Sequence, residues 1–162
     1  MRRYAQGTKV GTSRSRGQID SLLRNFGASG VQWTDEWVPN RIATICFVWK
    51  FKETDLMARI RLVCDRKAIG SNAIDQRTGR VSENKLERLL TSWDAEAHRL
   101  LLLFLKGAFF AIDAGLISAE QIFFPFFVDR NGSTVWEVVG KRLTELPNMG
   151  AGKLLLTDGK DG

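Results

Sequence analysis

The strongest constraint on how this chain can fold is one long helical pattern, which runs from Glu83 to Ala114. Its apolar residues recur at three- and four-residue spacing along one stripe, and Gly115 is suited to end the helix. In the second half the stripe widens so far that one face of a sheet cannot cover it. The sequence therefore predicts either a further helix packed on this segment or a surface for self-association. The residues that widen the stripe are Leu102, Leu103, Leu105, Phe109 and Phe110.

Three segments before this helix are rich in β-branched and aromatic residues, namely Val31 to Trp37, Arg41 to Phe51 and Leu56 to Cys64. Short turn signals separate them, so they predict an antiparallel meander. The third segment alternates apolar and polar residues, which is typical of a sheet covered on one side only. Arg59 and Arg61 are therefore expected on the open face of the sheet.

Two registers between the second and third strands are open. If Trp49 pairs with Arg59, aromatic rings lie beside arginines on the open face and form a platform on which bases can stack. If Val48 pairs with Arg59, a tight turn at Glu53-Thr54 is kept and Trp49 enters the core. We favour the second register, because it suits the short turn and buries the aromatic ring.

The remaining elements are predicted from capping and turn residues. Three Ser/Thr-x-x-Glu/Gln capping boxes indicate helix starts: at Ser15, opening residues 16–26, at Ser118, and at Thr134. A hairpin across Asn131-Gly132 competes with the last of these helices, and we favour a short strand, a turn and a helix. Residues 66–82 are predicted to be a polar linker, and the glycine-rich segments 7–17 and 150–162 loose ends.

These elements predict an α+β protein: an N-terminal helix on a three-stranded antiparallel meander, then a long buried helix and a short C-terminal strand or helix element. The length of 162 residues suits one domain, which we place at residues 1–146, with a loose C-terminal tail at 147–162. Two cysteines and the lack of a leader indicate a reduced, cytoplasmic protein. No membrane association is expected, because the longest apolar stretch is far shorter than the roughly 20 residues of a spanning helix.

The net charge of +6 is concentrated in the first half of the chain, in residues 1–26 and 41–80. Such an excess favours a polyanionic partner, either DNA or RNA or a nucleoprotein complex. The candidate contact residues are Arg14, Arg16, Arg59, Arg61, Arg66 and Lys67.

Residues suited to catalysis are few. His98 lies one helical turn from Asp94, but no nucleophile or third orienting group can be named beside it. Cys46 and Cys64 lack the two further ligands that a zinc site needs. We therefore expect no enzymatic activity, no cofactor and no metal site.

Several short segments carry a resemblance to known proteins: Tyr4 to Val10, Arg16 to Ala28, Ala58 to Leu62, Arg99 to Leu103 with Lys106, Gly115 to Glu120 and Asn131 to Val135. Together they resemble a family of small phage- and prophage-encoded proteins of unknown function, over most of residues 4–139. The chain departs from that pattern at Phe104-Leu105 and Gly107 to Phe110, where a more polar helix is expected. The resemblance implies a phage context, and hence the cytoplasm of the host cell, but no activity.

Two functions agree with these features. The first is a non-enzymatic phage accessory protein that binds nucleic acid or a nucleoprotein complex through its basic N-terminal half. The alternative is a protein-binding inhibitor of a host or defence enzyme, such as an anti-CRISPR-like protein. It would capture a host protein through the apolar helix, at Leu102, Leu103, Phe109 and Phe110.

Overall fold

The structure is a computed structural model that describes residues 9–37, 40–51 and 53–143, without the side chains of Phe51, Arg66 and 141–143. It confirms the predicted α+β fold. The predicted tail, 147–162, lies outside the described residues. The elements are α1 (Thr12–Asn25), β1 (Ala28–Glu36), β2 (Ile42–Phe51), β3 (Thr54–Val63), α2 (Arg66–Asn72), α3 (Glu83–Asp113), α4 (Ala119–Phe123), a 3₁₀ helix (Phe124–Phe126) and α5 (Val135–Leu143).

Helix α1 begins at Thr12, four residues before the predicted start, so the glycine-rich segment 7–17 is not a loose end from residue 12 onward. Ser15 does not cap this helix, because it lies within the helix and its side chain is buried. Ser15, Ile19 and Leu23 recur every four residues and together form the stripe of α1 that faces the core. The C-terminal end is as predicted, since Gly27 follows with a φ of 92°.

The sheet has the order β1-β2-β3, and both pairings are antiparallel. Arg59 pairs with Cys46, so neither predicted register is correct, and the favoured one is wrong by two residues. Phe51 pairs with Thr54, which moves the turn to a position before Glu53-Thr54. A shift of two residues leaves every side chain on its expected face. Trp49 accordingly packs against the core, and Arg59 lies on the opposite face of the sheet.

The core lies between one face of the sheet and the pair α1 and α3. Its centre is an aromatic cluster around Phe109, whose ring stacks on Phe26 at 4.2 Å and lies 5.6 Å from Trp49 and 5.7 Å from Phe123. Helix α4 thereby covers part of the wide apolar surface of α3. This agrees with the first of the two alternatives predicted from the sequence, a further helix packed on this segment. Phe126 of the 3₁₀ helix covers more of it, with its ring 6.2 Å from Phe104.

Residues 66–82, which the sequence predicts to be a polar linker, contain the short helix α2. The Asp65 carboxylate accepts hydrogen bonds from the amides of Lys67 and Ala68 and caps α2. Ile69 and Ala73 then form a second, smaller core with the first turns of α3. An Asp N-cap followed by two apolar residues four apart is the helix signal that the glycine- and serine-rich composition obscured.

The C-terminal element follows the favoured prediction of a turn and a helix. Ser118 forms the predicted capping box with Gln121 and opens α4. Thr134 and Glu137 exchange the same two hydrogen bonds at the start of α5. The predicted strand before α5 is reduced to single bridges at Phe127 and Val128. The bridge of Phe127 is to Ala58, at the outer edge of β3.

Candidate nucleic-acid interface

Helix α1 turns a polar stripe toward solvent on the side opposite its buried one. Arg14, Gln18, Ser21 and Asn25 are spaced four, three and four residues apart, so they lie on one face of the helix. None of the four is apolar or acidic. The stripe spans 12 residues, from Arg14 to Asn25, and is about 17 Å long at 1.5 Å per residue.

This stripe forms one wall of a shallow groove of about 440 Å³ between α1 and α3. Lys106 of α3 lies on the opposite wall, and Arg99 of α3 donates to the side-chain oxygen of Gln18 at 3.3 Å. The residues that line the groove are Arg14, Gly17, Gln18, Ser21, Leu22, Asn25 and Lys106. No carboxylate is among them.

A groove of this composition suits a phosphate backbone. Lysine and arginine supply the charge that phosphates bind, while amide and hydroxyl groups donate hydrogen bonds to phosphate oxygens without reading the base sequence. Because no carboxylate is among the described residues that line the groove, none of their side chains opposes a polyanion there. The groove thus offers two cations and several hydrogen-bonding groups, none of which distinguishes one base sequence from another.

Arg16, another predicted contact residue, is engaged within the fold. Its guanidinium forms a two-bond ion pair with Asp35 of β1, with one N–O distance of 2.9 Å. The guanidinium also stacks 4.6 Å from the Trp33 ring, and its Nε donates to His98 at 2.9 Å. Arg16 thus ties α1 to β1 and α3 and has little capacity left for a phosphate.

Arg59 and Arg61 lie on the face of the sheet away from α1, as the alternation of β3 predicts. Arg61 is exposed. Arg59 is 23% exposed and forms an ion pair with Glu137 of α5 at 2.8 Å. The amide of Thr134, and Arg59 itself, lower the pKa of Glu137, so this partner stays charged. Arg59 is therefore committed to a contact between the sheet and α5.

Lys67 is exposed at the start of α2, next to Arg66, whose side chain is not described. The predicted contact residues thus do not form one surface. Arg14 lies on the helical side of the sheet and Arg61 on the opposite side, while Arg16 and Arg59 are held in ion pairs. The charge-based prediction missed Lys106 and Gln18. The sequence did offer a signal for Gln18, because it lies four residues after Arg14 and therefore on the same face of α1. It offered no such signal for Lys106.

The apolar candidates of α3 divide in the same way. Leu102 is fully buried and Phe109 is 1% exposed, so both belong to the core and are not available to a partner. Leu103 is half-buried. Phe110 is 74% exposed, as the partner-binding prediction requires.

His98 belongs to a buried polar cluster that joins α1, β1, α3 and the segment before β2. Its Nε2 accepts from Arg16, which can only donate, so the proton resides on Nδ1 and is donated to the Asp94 carbonyl oxygen at 2.7 Å. Burial and the Arg16 cation lower the pKa of His98 below its ordinary 6.5, although the Asp94 carbonyl and nearby carboxylates oppose this shift. The imidazole is therefore neutral and has no free ring nitrogen.

Asp94 is the second buried group of this cluster. Its side chain forms an ion pair with Arg41, whose guanidinium stacks 4.1 Å from the Trp37 ring. Burial raises the pKa of Asp94 despite the Arg41 cation. The sequence showed the one-turn spacing of Asp94 and His98, but partners 82 residues apart, such as Arg16 and His98, leave no local pattern.

Neither cysteine is poised for reaction. Cys64 is buried, and burial raises the pKa of the Cys46 thiol although Arg59 opposes the shift. Within residues 9–37, 40–51 and 53–143, no group of three or more His, Cys, Asp or Glu side chains could hold a metal ion. In that same part of the chain, no helix is long and apolar enough to cross a membrane.

No protein-family model, curated protein or solved structure matches this chain. Its function is therefore argued from its own residues.

Proposed function

We propose that this protein binds nucleic acid, or the nucleic-acid part of a nucleoprotein complex, through the groove between α1 and α3, without catalysing a reaction. The observation that carries the proposal is the lining of this groove, which combines Arg14, Lys106 and polar side chains with no carboxylate. Both cations are exposed, so a phosphate can reach them. The phage or prophage context implied by the sequence resemblance stays a prediction.

Binding without catalysis agrees with the contacts of His98, the side chain whose ordinary pKa lies nearest to neutral pH. His98 is the single histidine of the chain, and both of its ring nitrogens are occupied by protein contacts. A general base must reach the proton that it removes from a substrate. His98 is fully buried and cannot do so without breaking its bond to Arg16.

The experiment is fluorescence anisotropy of labelled single- and double-stranded DNA and RNA, titrated with the full chain over a range of salt concentrations. We expect the affinity to fall steeply with salt, because binding releases counterions from the phosphates. Replacing Arg14 and Lys106 together by Gln should reduce the slope of log K against log salt by roughly 1.4 to 1.8, at about 0.7–0.9 per lost phosphate contact. It should weaken binding to all sequences alike.

The matched control is the double replacement of Arg61 and Lys67 by Gln, which removes the same charge from exposed positions outside the groove. This variant should keep the salt slope within about 0.5 of the parent. An equal loss in both double variants would show that binding follows net charge and would refute the groove as the site. No binding at low salt would refute the proposal altogether.

A protein partner on the solvent side of α3 is the second candidate function, corresponding to the inhibitor of a host enzyme. Leu100 and Phe104 are each 45% exposed and Phe110 is 74% exposed, which is unusual for large apolar side chains on one helix. Replacing Phe110 by Ser should abolish capture of a host protein while leaving the thermal unfolding temperature unchanged. Retained capture would exclude Phe110 as a contact.

A further inference from the structure

The outer edge of β1 carries unpaired backbone groups. The carbonyl of Met57 accepts a hydrogen bond from the Val128 amide, so the backbone N–H and C=O of Met57 point away from β2. Antiparallel pairing alternates along each strand, and the observed register carries this alternation across the sheet to β1. The N–H and C=O groups of Val31, Trp33 and Asp35 consequently point outward from the sheet. None of the described residues pairs with this edge.

The devices that usually protect an edge strand are weak here. Strand β1 has nine residues and contains neither lysine nor proline. An inward-pointing charge normally blocks pairing, but Asp35 is neutralised by its ion pair with Arg16. The irregularity between Ala28 and Gly30 disturbs only the first residues of the strand. The segment from Val31 to Asp35 is thus ready to accept another strand.

We propose that β1 pairs antiparallel with β1 of a second copy of this chain, about a two-fold axis at Gln32. In this register Val31 of each copy lies opposite Trp33 of the other, which makes two hydrogen-bonded pairs of a β-branched and an aromatic residue. Asp35 lies opposite Ser29, so no like charges face each other. The segment is complementary to itself, which identifies a second copy as the occupant of the edge.

The neighbouring two-fold register is less favourable. Centred on Trp33, it would place Asp35 opposite Val31 and set two indole rings against each other. Each Trp33 is already fixed by its bond to Asp20 at 2.8 Å, so it cannot turn away. The axis at Gln32 avoids both conflicts and makes a continuous six-stranded sheet with the helices of both copies on one face.

Gln32 provides a direct test, because in the proposed dimer it lies opposite itself on the exposed face of the sheet. Sedimentation equilibrium of the full chain should show a monomer–dimer equilibrium. Gln32→Lys and Gln32→Glu each place like charges opposite one another and should raise the dimer Kd roughly fivefold. An equimolar mixture of the two variants should restore the parent affinity by forming the mixed dimer.

The matched control is Thr34→Lys, which adds the same charge to the same face of β1 but opposite Gly30 of the second copy. Its dimer Kd should stay within about twofold of the parent, and far-ultraviolet circular dichroism should show all variants folded. A parent chain that remains monomeric up to about 100 µM would overturn the proposal. So would a dimer whose Kd responds equally to changes at Gln32 and Thr34, or whose mixed variants fail to recover.

Discussion

Two adjacent phenylalanines of α3, one buried and one exposed, provide a test of which face of this helix packs against the core. Phe109 is 1% exposed and sits among three aromatic rings, whereas Phe110 is 74% exposed. Deleting a buried phenyl ring costs its transfer free energy together with that of the cavity left behind. We expect Phe109→Ala to lower the free energy of unfolding by about 3–5 kcal/mol. Phe110→Ala should change it by no more than about 0.5 kcal/mol.

Urea unfolding followed by circular dichroism and tryptophan fluorescence measures both changes. The midpoint should fall for Phe109→Ala at an unchanged m-value, because the surface exposed on unfolding is nearly the same. Its thermal midpoint should fall by about 10 °C, at roughly 2–4 °C for each kcal/mol in a chain of this size. Since the two residues lie only about 100° apart around α3, similar losses in both variants would refute this orientation of the helix.

Three further predictions concern the polar contacts. Arg16→Met should lower the free energy of unfolding in urea by about 2 kcal/mol, because it leaves Asp35 without its cation and the buried Nε2 of His98 without a donor. The control is Arg14→Met, two residues earlier and exposed, which should lower it by less than about 0.5 kcal/mol. Thr134→Ala should cost about 1 kcal/mol in the same assay through loss of the cap of α5. Below pH 6.5 the unfolded chain binds a proton on His98 that the folded protein excludes, so stability should fall with pH by up to about 1.4 kcal/mol per unit. His98→Gln should flatten that slope below pH 6.5, and an unchanged slope would assign it to other groups.

Local signals were sufficient to predict most of the elements. The ends of α3, the capping boxes at Ser118 and Thr134 and the two faces of β3 follow from residues within a few positions of one another. The same reasoning failed at Ser15, whose capping pattern is real in sequence but lies inside α1. There the buried stripe of Ile19 and Leu23 extends back through Ser15, and burial of that stripe decides where the helix begins.

The register and the site depend on contacts that no local pattern encodes. A shift of two residues between β2 and β3 preserves the alternation of both strands, so periodicity could not choose among pairings. The groove likewise joins Arg14 to Lys106, which meet only because α1 packs beside α3. Sequence reasoning found the first of these cations and had no means of finding the second.

The charge of this protein shows why composition alone does not define a binding surface. The first half of the chain is strongly basic, but Arg16, Arg41 and Arg59 are all bound to carboxylates within the fold. The ion pairs of Arg41 and Arg59 join segments distant in sequence, and Arg16 ties α1 to both β1 and α3, so the three arginines serve the architecture. Each ion pair leaves the net charge of +6 unchanged but removes one arginine from those that can meet a polyanion. The location of the available charge is therefore decided by which cations the fold leaves unpaired. Arg14 and Lys106 meet that condition within one groove, which is why we propose the site there and not on the open face of the sheet.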